Sequence, residues 1–223
     1  MEYAETDYVF LVDVDFVPSM NLSESLEVTA LKRFDPLTTY GDRSESSRGE
    51  RRCFIVPAFE IKEGRDPLPN TKGDLLSLWG QGYVQPFRHE IWTAGHTATD
   101  YAKWKEISEP YEVNWSADYE PYVMIQRNAV RFDETFAGFG WNKASFFMAL
   151  DVQHYRFTVL PGVFLLHLPH PPSIEVLRYR TNVLYRSCVD RLKLDYIRNL
   201  AREHGVHALK YLEFRGHSER LNS

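Results

Sequence analysis

The stretch YVFLVDVDFVPS at residues 8–19 decides our prediction of the fold. Its first part, Tyr8 to Val12, is apolar without alternation, which is typical of a strand buried on both faces of a parallel or mixed sheet. Asp13 and Asp15 end this apolar run. Side chains two residues apart on an extended backbone point the same way, so both carboxylates can reach one divalent cation.

Two interpretations of these aspartates are open. In the first, they cap a strand and begin a turn, which is ordinary chemistry for Asp before Pro18 and Ser19. In the second, they bind a metal, because a carboxylate that follows a buried strand needs a cation to offset its desolvation. The carboxyl ends of strands are where open α/β sheets bind ligands, and this position favours the second interpretation.

Length and composition limit the class of protein. The chain has 223 residues, and we predict a single domain over residues 1–223. Its net charge of -5 gives no support for nucleic-acid binding, and its 14% aromatic content is compatible with sugar stacking or an aromatic-rich core. No run approaches the roughly 18 apolar residues of a membrane span. Whether Cys53 and Cys188 pair is left open.

The patterns after residue 19 complete an α/β protein, and the polar segment 35–52 is predicted to be a flexible loop. The predicted helices cover residues 20–34, 74–79, 97–104, 144–150 and 174–212. The predicted strands cover residues 53–59, 119–125 and 157–168, the last with a break at Pro161-Gly162, and residues 113–117 are predicted to be extended.

Two histidines near the end of the last predicted strand are further candidate ligands. His167 ends a strongly apolar run, as Asp15 does, and strand ends in one sheet can face the same crevice. We therefore predict that His167 supplies a nitrogen to the cation, with His170 as the alternative ligand. The other interpretation of His167 is a hydrogen-bonded core or turn residue.

Five segments together resemble the LARGE-type glycosyltransferase family 49 domain in order and spacing. They are YVFLVDVDFVPS (8–19), YEPYV (119–123), FDETFAGFGWNK (132–143), VLPGVFLLHLPHPPS (159–173) and ALKYL (208–212). The resemblance implies a GT-A-like α/β fold, a mixed sheet flanked by helices. It also implies manganese-dependent, inverting transfer of glucuronic acid from UDP-glucuronic acid to a glycan acceptor in the Golgi lumen. Since so little sequence precedes Asp13, we expect the N-terminal part of the nucleotide-binding half to be missing.

The resemblance also assigns roles to site residues. Asp13 and Asp15 become the D-x-D pair that binds manganese on the donor diphosphate, and His167 becomes the third metal ligand. Both aspartates therefore belong to the predicted donor site, together with Trp141 as a sugar-stacking platform and Asn142 as a residue that orients the acceptor.

An inverting transfer needs one carboxylate base to deprotonate the acceptor hydroxyl. The candidates are Glu120, Asp133 and Glu134, and we favour the last two. In several other inverting GT-A enzymes the base follows a glycine-rich turn like residues 138–141, and this chain has Asn142 and Lys143 where that acidic residue is expected. Because an amide cannot take a proton, a catalytically inactive member that binds a glycan or a partner is the alternative function.

Overall fold

The computed structural model describes residues 3–34, 51–62 and 67–213, and this part of the chain forms two mixed sheets with flanking helices. The predicted GT-A-like α/β class is confirmed. The strands are β1 Tyr8–Leu11, β2 Phe16–Pro18, β3 Arg52–Val56, β4 Ala58–Ile61, β5 Val84–Pro86, β6 Tyr111–Val113, β7 Tyr122–Gln126, β8 Arg156–Val159 and β9 Leu165–His167. The α-helices are α1 Leu22–Phe34, α2 Lys72–Gly80, α3 Tyr101–Glu106, α4 Asn142–Val152, α5 Ile174–Thr181 and α6 Val183–His204.

The chain passes three times from the first sheet directly into the second. The first sheet has the order β1-β7-β3-β8-β6, and the second has the order β2-β9-β4-β5. The passages run from β1 to β2, from β3 to β4 and from β8 to β9. Strands β3 and β8 pair in parallel, as do β4 and β9, and the other pairs are antiparallel. The two aspartates lie on the first of these passages.

Two predicted strands are each divided between the sheets. The predicted strand 53–59 breaks at Pro57, which has no N–H to give to a ladder and whose carbonyl accepts a hydrogen bond from the Leu165 N–H at 2.8 Å. The predicted strand 157–168 separates into β8 and β9, and its predicted break at Pro161-Gly162 lies between them. As a result, His167 ends a strand of the second sheet.

The prediction that the first strand is buried on both faces was wrong. All four residues of β1 are half-buried, and among the described residues β1 pairs with β7 alone, at one end of the sheet order. The strand also ends at Leu11, so Asp13 and Asp15 lie in the turn before β2 rather than on extended strand. Val14 between them is fully exposed while both aspartates are partly buried, so their side chains still lie on the same side.

The predicted helix 174–212 is also divided. Asn182 adopts an extended backbone and its side-chain oxygen accepts a hydrogen bond from the Tyr185 N–H at 3.0 Å, which starts α6 afresh. Gly205, with a φ of 101°, then ends α6, and residues Val206–Glu213 form a 3-10 helix. Strong helical periodicity on both sides of Asn182 concealed this capping signal.

Three other boundaries differ from the predictions. Residues 35–50 of the predicted loop lie outside the described residues, and Arg52 already begins β3. Strand β6 comes before most of the predicted extended segment 113–117. Strand β7 begins only at Tyr122, so Glu120 precedes it.

The core around β3 and β4 is dominated by large aromatic rings. Phe59 contacts the rings of Trp104 and Tyr101 at centroid distances of 5.0 and 5.2 Å. Cys53 is buried and Cys188 is exposed, and both are free thiols. None of the helices in the described ranges has the length and apolar character needed to cross a bilayer.

Candidate functional site

Three predicted or alternative metal ligands meet where β1 passes into β2. The Oδ2 atom of Asp15 lies 2.8 Å from Nε2 of His170 and 3.2 Å from Nε2 of His167. One ligand atom from each of these three residues lies within 4.8 Å of the other two. The register that pairs Phe16 with His167 in β2 and β9 brings this cluster together from residues about 150 positions apart in the chain.

Two buried atoms of this cluster have no hydrogen-bond partner among the described residues. They are Oδ1 of Asp15 and Nε2 of His167, the second of which faces Asp15 without hydrogen-bond geometry. A buried polar atom without a partner costs roughly 1–3 kcal/mol, so the folded chain carries a cost that a ligand would remove. A carboxylate with two imidazoles is a donor set for a divalent first-row cation. These residues therefore fit a metal ion.

The protonation of the cluster is compatible with metal binding. Burial lowers the pKa of His167, so its ring is neutral at physiological pH and has a lone pair to offer. The ring of His170 contacts the Pro171 carbonyl through Nδ1 at 2.7 Å. When Nδ1 donates to that carbonyl, the neutral ring has its lone pair on Nε2, the atom that faces Asp15. Backbone carbonyls orient metal-binding histidines in this way.

Asp15 has the ionised form that a ligand needs. Burial raises its pKa, but the hydrogen bond that it accepts from His170 and the positive charge of each histidine when protonated outweigh that effect, so the pKa is lowered overall. The hydrogen bond that the His170 ring donates to Asp15 in turn raises the pKa of His170. A cation that binds here would therefore displace a proton from His170.

Asp13 lies outside this three-residue cluster. Its Oδ2 atom accepts hydrogen bonds from the Lys143 ammonium at 2.5 Å and from the Tyr122 hydroxyl at 3.0 Å. The ammonium also lies 4.7 Å from the centroid of the Tyr122 ring. The structure therefore places the first aspartate of the D-x-D pair against a cation of the protein itself. The predicted metal role of Asp13 stays a prediction.

Aromatic rings form the floor beneath the metal cluster. The ring of His167 lies 4.8 Å from that of Phe87 and 5.2 Å from that of Phe16, measured between centroids. Phe87 also contacts His96, whose pKa burial lowers to about 3, so that ring stays neutral. Aromatic rings weaken solvent screening, so the charged groups of the metal cluster beside them interact more strongly than they would in water.

Glu120 has the environment expected of a general base. Burial raises its pKa to about 7, the charges of Asp13 and Asp118 add to the rise, and Lys143 and Arg88 oppose it. The backbone N–H of Glu120 donates to the Gly95 carbonyl at 3.0 Å, and the preceding residue, Tyr119, is fully buried. A carboxylate with a pKa near the operating pH transfers protons most efficiently.

The two favoured candidates for the base, Asp133 and Glu134, have other environments, and their predicted role stays a prediction. Asp133 accepts hydrogen bonds from both the N–H and the hydroxyl of Thr135, as in an Asx turn, and it acts electrostatically on Tyr196 in α6. Glu134 is exposed. Within the described ranges, no hydrogen bond or ion pair joins either residue to the metal cluster or to Asp13. Local sequence placed them beside the glycine-rich turn but did not show where they face.

Trp141 and Asn142 lie at the start of α4. Trp141 is 8% exposed, and the Lys193 ammonium lies 4.3 Å from its ring centroid, which leaves little of the ring for a sugar. The side-chain oxygen of Asn142 accepts a hydrogen bond from the Lys143 N–H at 2.8 Å. Their predicted roles, sugar stacking and acceptor orientation, stay predictions.

Sequence reasoning missed two cations of this site, Lys143 and Arg88. The sequence has Lys143 next to a helix start, in a position where an acidic residue is expected. That unexpected residue type was the signal that could have identified Lys143. Arg88 follows β5, a three-residue strand that no periodicity revealed, so nothing in the local sequence marked it.

Gly95 supports the backbone that holds Glu120, and its replacement gives a first prediction. A Cβ atom at Gly95 would lie 2.6 Å from carbons of the Trp92 ring, closer than van der Waals contact allows. We expect Gly95→Ala to lower the free energy of unfolding by about 1–3 kcal/mol, measured by urea denaturation. Gly80→Ala is the matched control, because nothing lies within 4 Å of its added carbon. Equal stability of the two variants would contradict the prediction.

Comparison with known proteins shows that the sequence of this chain is similar to those of glycosyltransferases. The chain is 43% identical over 209 residues to the Mus musculus protein named Xylosyl- and glucuronyltransferase LARGE2, and 40% identical over 212 residues to the Homo sapiens protein named Xylosyl- and glucuronyltransferase LARGE1. These matches cover 94% and 95% of this chain, but 29% and 26% of the two relatives. The chain thus spans between a quarter and a third of their length.

The chain belongs to the glycosyltransferase 49 family, described as glycosyl-transferase for dystroglycan, whose family model matches residues 1–182. The resemblance inferred from the five sequence segments is therefore confirmed.

Proposed function

We propose that this chain forms the metal-binding and catalytic part of an inverting glycosyltransferase that transfers glucuronic acid from UDP-glucuronic acid to a glycan acceptor. Family membership supports the transferase activity, and the names of the relatives support glucuronic acid as the donor sugar. The Golgi lumen is the compartment that we propose on the same resemblance.

One observation carries the proposal. Asp15, His167 and His170 converge at the passage between the two sheets, and two of their buried atoms lack a partner among the described residues. Ordinary packing would leave neither a buried carboxylate oxygen nor a buried imidazole nitrogen unpaired. A divalent cation, manganese in our proposal, would supply positive charge to the leaving diphosphate as the glycosidic bond breaks.

The protein's own residues provide the remaining chemistry. The Glu120 carboxylate accepts the proton of the acceptor hydroxyl while the hydroxyl oxygen forms a bond to C1 of the donor sugar. The bond from C1 to the diphosphate oxygen breaks on the opposite face, and the electron pair leaves with UDP. Displacement from one face inverts the configuration at C1. Lys143, which is held beside Asp13, keeps a second positive charge near the site.

Calorimetric titration with UDP tests the metal part of this proposal. We expect the wild-type chain to bind UDP about 10- to 100-fold more tightly with manganese than with EDTA, and the effect must be reciprocal for manganese affinity with and without UDP. Binding of UDP that is unaffected by manganese would contradict the proposal. Donor-sugar transfer to a glycan acceptor, measured as UDP release, then tests the reaction itself.

The ion pair between Asp13 and Lys143 favours a second candidate function. A carboxylate held at 2.5 Å by an ammonium ion is less available to a metal, as expected of a catalytically inactive member that binds a glycan or a partner. That candidate predicts glycan binding without any manganese-dependent binding of UDP, so the same titration separates the two functions.

A further inference from the structure

Arg88 is a cation beside the site that the mechanism above does not use. It follows β5, and its φ of 53° lies in the left-handed region that non-glycine residues seldom adopt. Its carbonyl oxygen accepts hydrogen bonds from the N–H groups of Trp92 at 2.8 Å and Ile91 at 3.2 Å. The surrounding turn thus holds this residue in an uncommon conformation, of the kind found at ligand sites.

The side chain of Arg88 lies over the Phe87 ring, which in turn contacts a histidine of the metal cluster. Its Cζ atom is 5.2 Å from the centroid of the Phe87 ring, and that ring is 4.8 Å from the ring of His167. The positive charge of Arg88 also lowers the pKa of Glu120 and of both histidines of the metal cluster. Arg88 therefore lies within electrostatic range of both the proposed base and the proposed metal ligands.

Arg88 also differs from Lys143, the other cation of the site, in having no anionic partner among the residues that the structure describes. Lys143 forms an ion pair with Asp13, whereas the guanidinium of Arg88 forms no hydrogen bond or ion pair with any residue in the described ranges. A partly buried guanidinium that stacks on an aromatic ring is well suited to bind a carboxylate through two parallel hydrogen bonds.

We propose that Arg88 binds the carboxylate of a uronic acid donor sugar and so selects that sugar over its neutral counterpart. This inference rests on the proposed function, because it assigns a residue to the recognition of the donor. A uronate carries its carboxylate on the sugar ring that reacts. In our proposal that ring binds near the base and the metal ligands, and Arg88 lies within electrostatic range of both. The diphosphate of the donor is the competing anion.

Binding of three nucleotides tests this inference by calorimetry in the presence of manganese: UDP, UDP-glucose and UDP-glucuronic acid. UDP-glucose has a hydroxymethyl group in place of the carboxylate and serves as the neutral counterpart. We expect Arg88→Gln to weaken binding of UDP-glucuronic acid about 10- to 100-fold, the range for a lost hydrogen bond to a charged group, and to change binding of the other two nucleotides less than about threefold. Arg88→Lys keeps the charge but loses the planar fork, and we expect an intermediate loss.

Two results would overturn the inference. An equal loss for all three nucleotides would show that Arg88 binds the diphosphate, and unchanged binding of UDP-glucuronic acid would show that Arg88 binds neither group. If the wild-type chain bound no UDP in the presence of manganese, the proposed function itself would fail. That outcome differs from a failure of the Arg88 inference alone, in which the wild-type chain still binds UDP. Arg198 is an exposed arginine of α6 that is paired with Asp195. The matched control is Arg198→Gln, which is expected to leave the binding of all three nucleotides unchanged. Should Arg88→Gln not fold, Arg88→Lys gives the same comparison.

Discussion

Asp15→Asn is expected to abolish the manganese-dependent binding of UDP and to lower sugar transfer about 1,000-fold. Asp15 is the residue that contacts both histidines of the metal cluster, so its loss removes the charged ligand of the set. A neutral amide binds hard divalent cations far more weakly than a carboxylate does. Calorimetry with UDP and manganese and an assay of UDP release measure the two effects.

The fold should survive this change. The pKa of Asp15 is lowered in the folded chain, so its ionised form adds stability above the normal pKa of 3.8 and the amide loses that contribution at pH 7. Because Asp15 is partly exposed to solvent, we expect the loss to be small, as measured by urea denaturation without metal. Asp195→Asn on α6 is the matched control for both measurements. Manganese-dependent UDP binding that persisted in Asp15→Asn would rule out the proposed metal site.

Glu120→Gln is expected to lower sugar transfer about 100- to 10,000-fold, the usual contribution of a positioned general base. The glutamine side chain has nearly the same shape but cannot accept the proton of the acceptor hydroxyl. Binding of UDP with manganese should change less than about threefold, because Glu120 is not among the clustered ligands. The rate of UDP release under saturating donor and acceptor separates this effect from a loss of binding.

The pH dependence of transfer identifies the base independently. The pKa of Glu120 is raised to about 7, so wild-type transfer should increase as the pH rises through about 7. The groups that act on Glu120 are Asp13, Asp118, Lys143 and Arg88, and the phenols of Tyr122 and Tyr179 also lie within electrostatic range. In Glu120→Gln the residual transfer should lose this dependence. Glu203→Gln on α6 is the matched control.

The free energies of unfolding of the wild-type chain and of Glu120→Gln should also diverge with pH. A carboxyl group whose pKa is raised by folding favours the protonated folded state. Its contribution is complete below the unfolded pKa of 4.5 and is lost as the pH rises through about 7. Glu120→Gln should therefore be the more stable protein at pH 8.

A transfer defect that followed Glu134→Gln or Asp133→Asn instead of Glu120→Gln would move the base to the glycine-rich turn.

Most of the fold was predictable because the strongest patterns are local. The strands around Phe54, Ile125 and Leu166 are continuous apolar runs, and such runs predict buried strands without any knowledge of their partners. The breaks were harder to predict. Asn182 divides a long amphipathic pattern by capping a new helix. Pro57 divides one apolar run between two sheets, and this break was hard to predict because the strands on its two sides are equally apolar.

The sequence by itself determined the chemical inventory of the site: the D-x-D pair, His167 with His170 beside it, and the carboxylates available as a base. These are local facts, since residue type and the end of an apolar run can be read within a few positions. The family could be inferred for the same reason, from five short segments whose order and spacing along this chain resemble those of the family.

Only the tertiary structure decided which of these groups lie together. Lys143 and Asp13 are 130 residues apart in the chain, yet they form an ion pair, and Asp15 joins His170 across 155 residues. Burial decided that the pKa of Glu120 lies near 7 while Glu134 faces solvent. The physical reason is that desolvation and charge pairing depend on what surrounds a side chain in space, and those neighbours come from distant parts of the sequence.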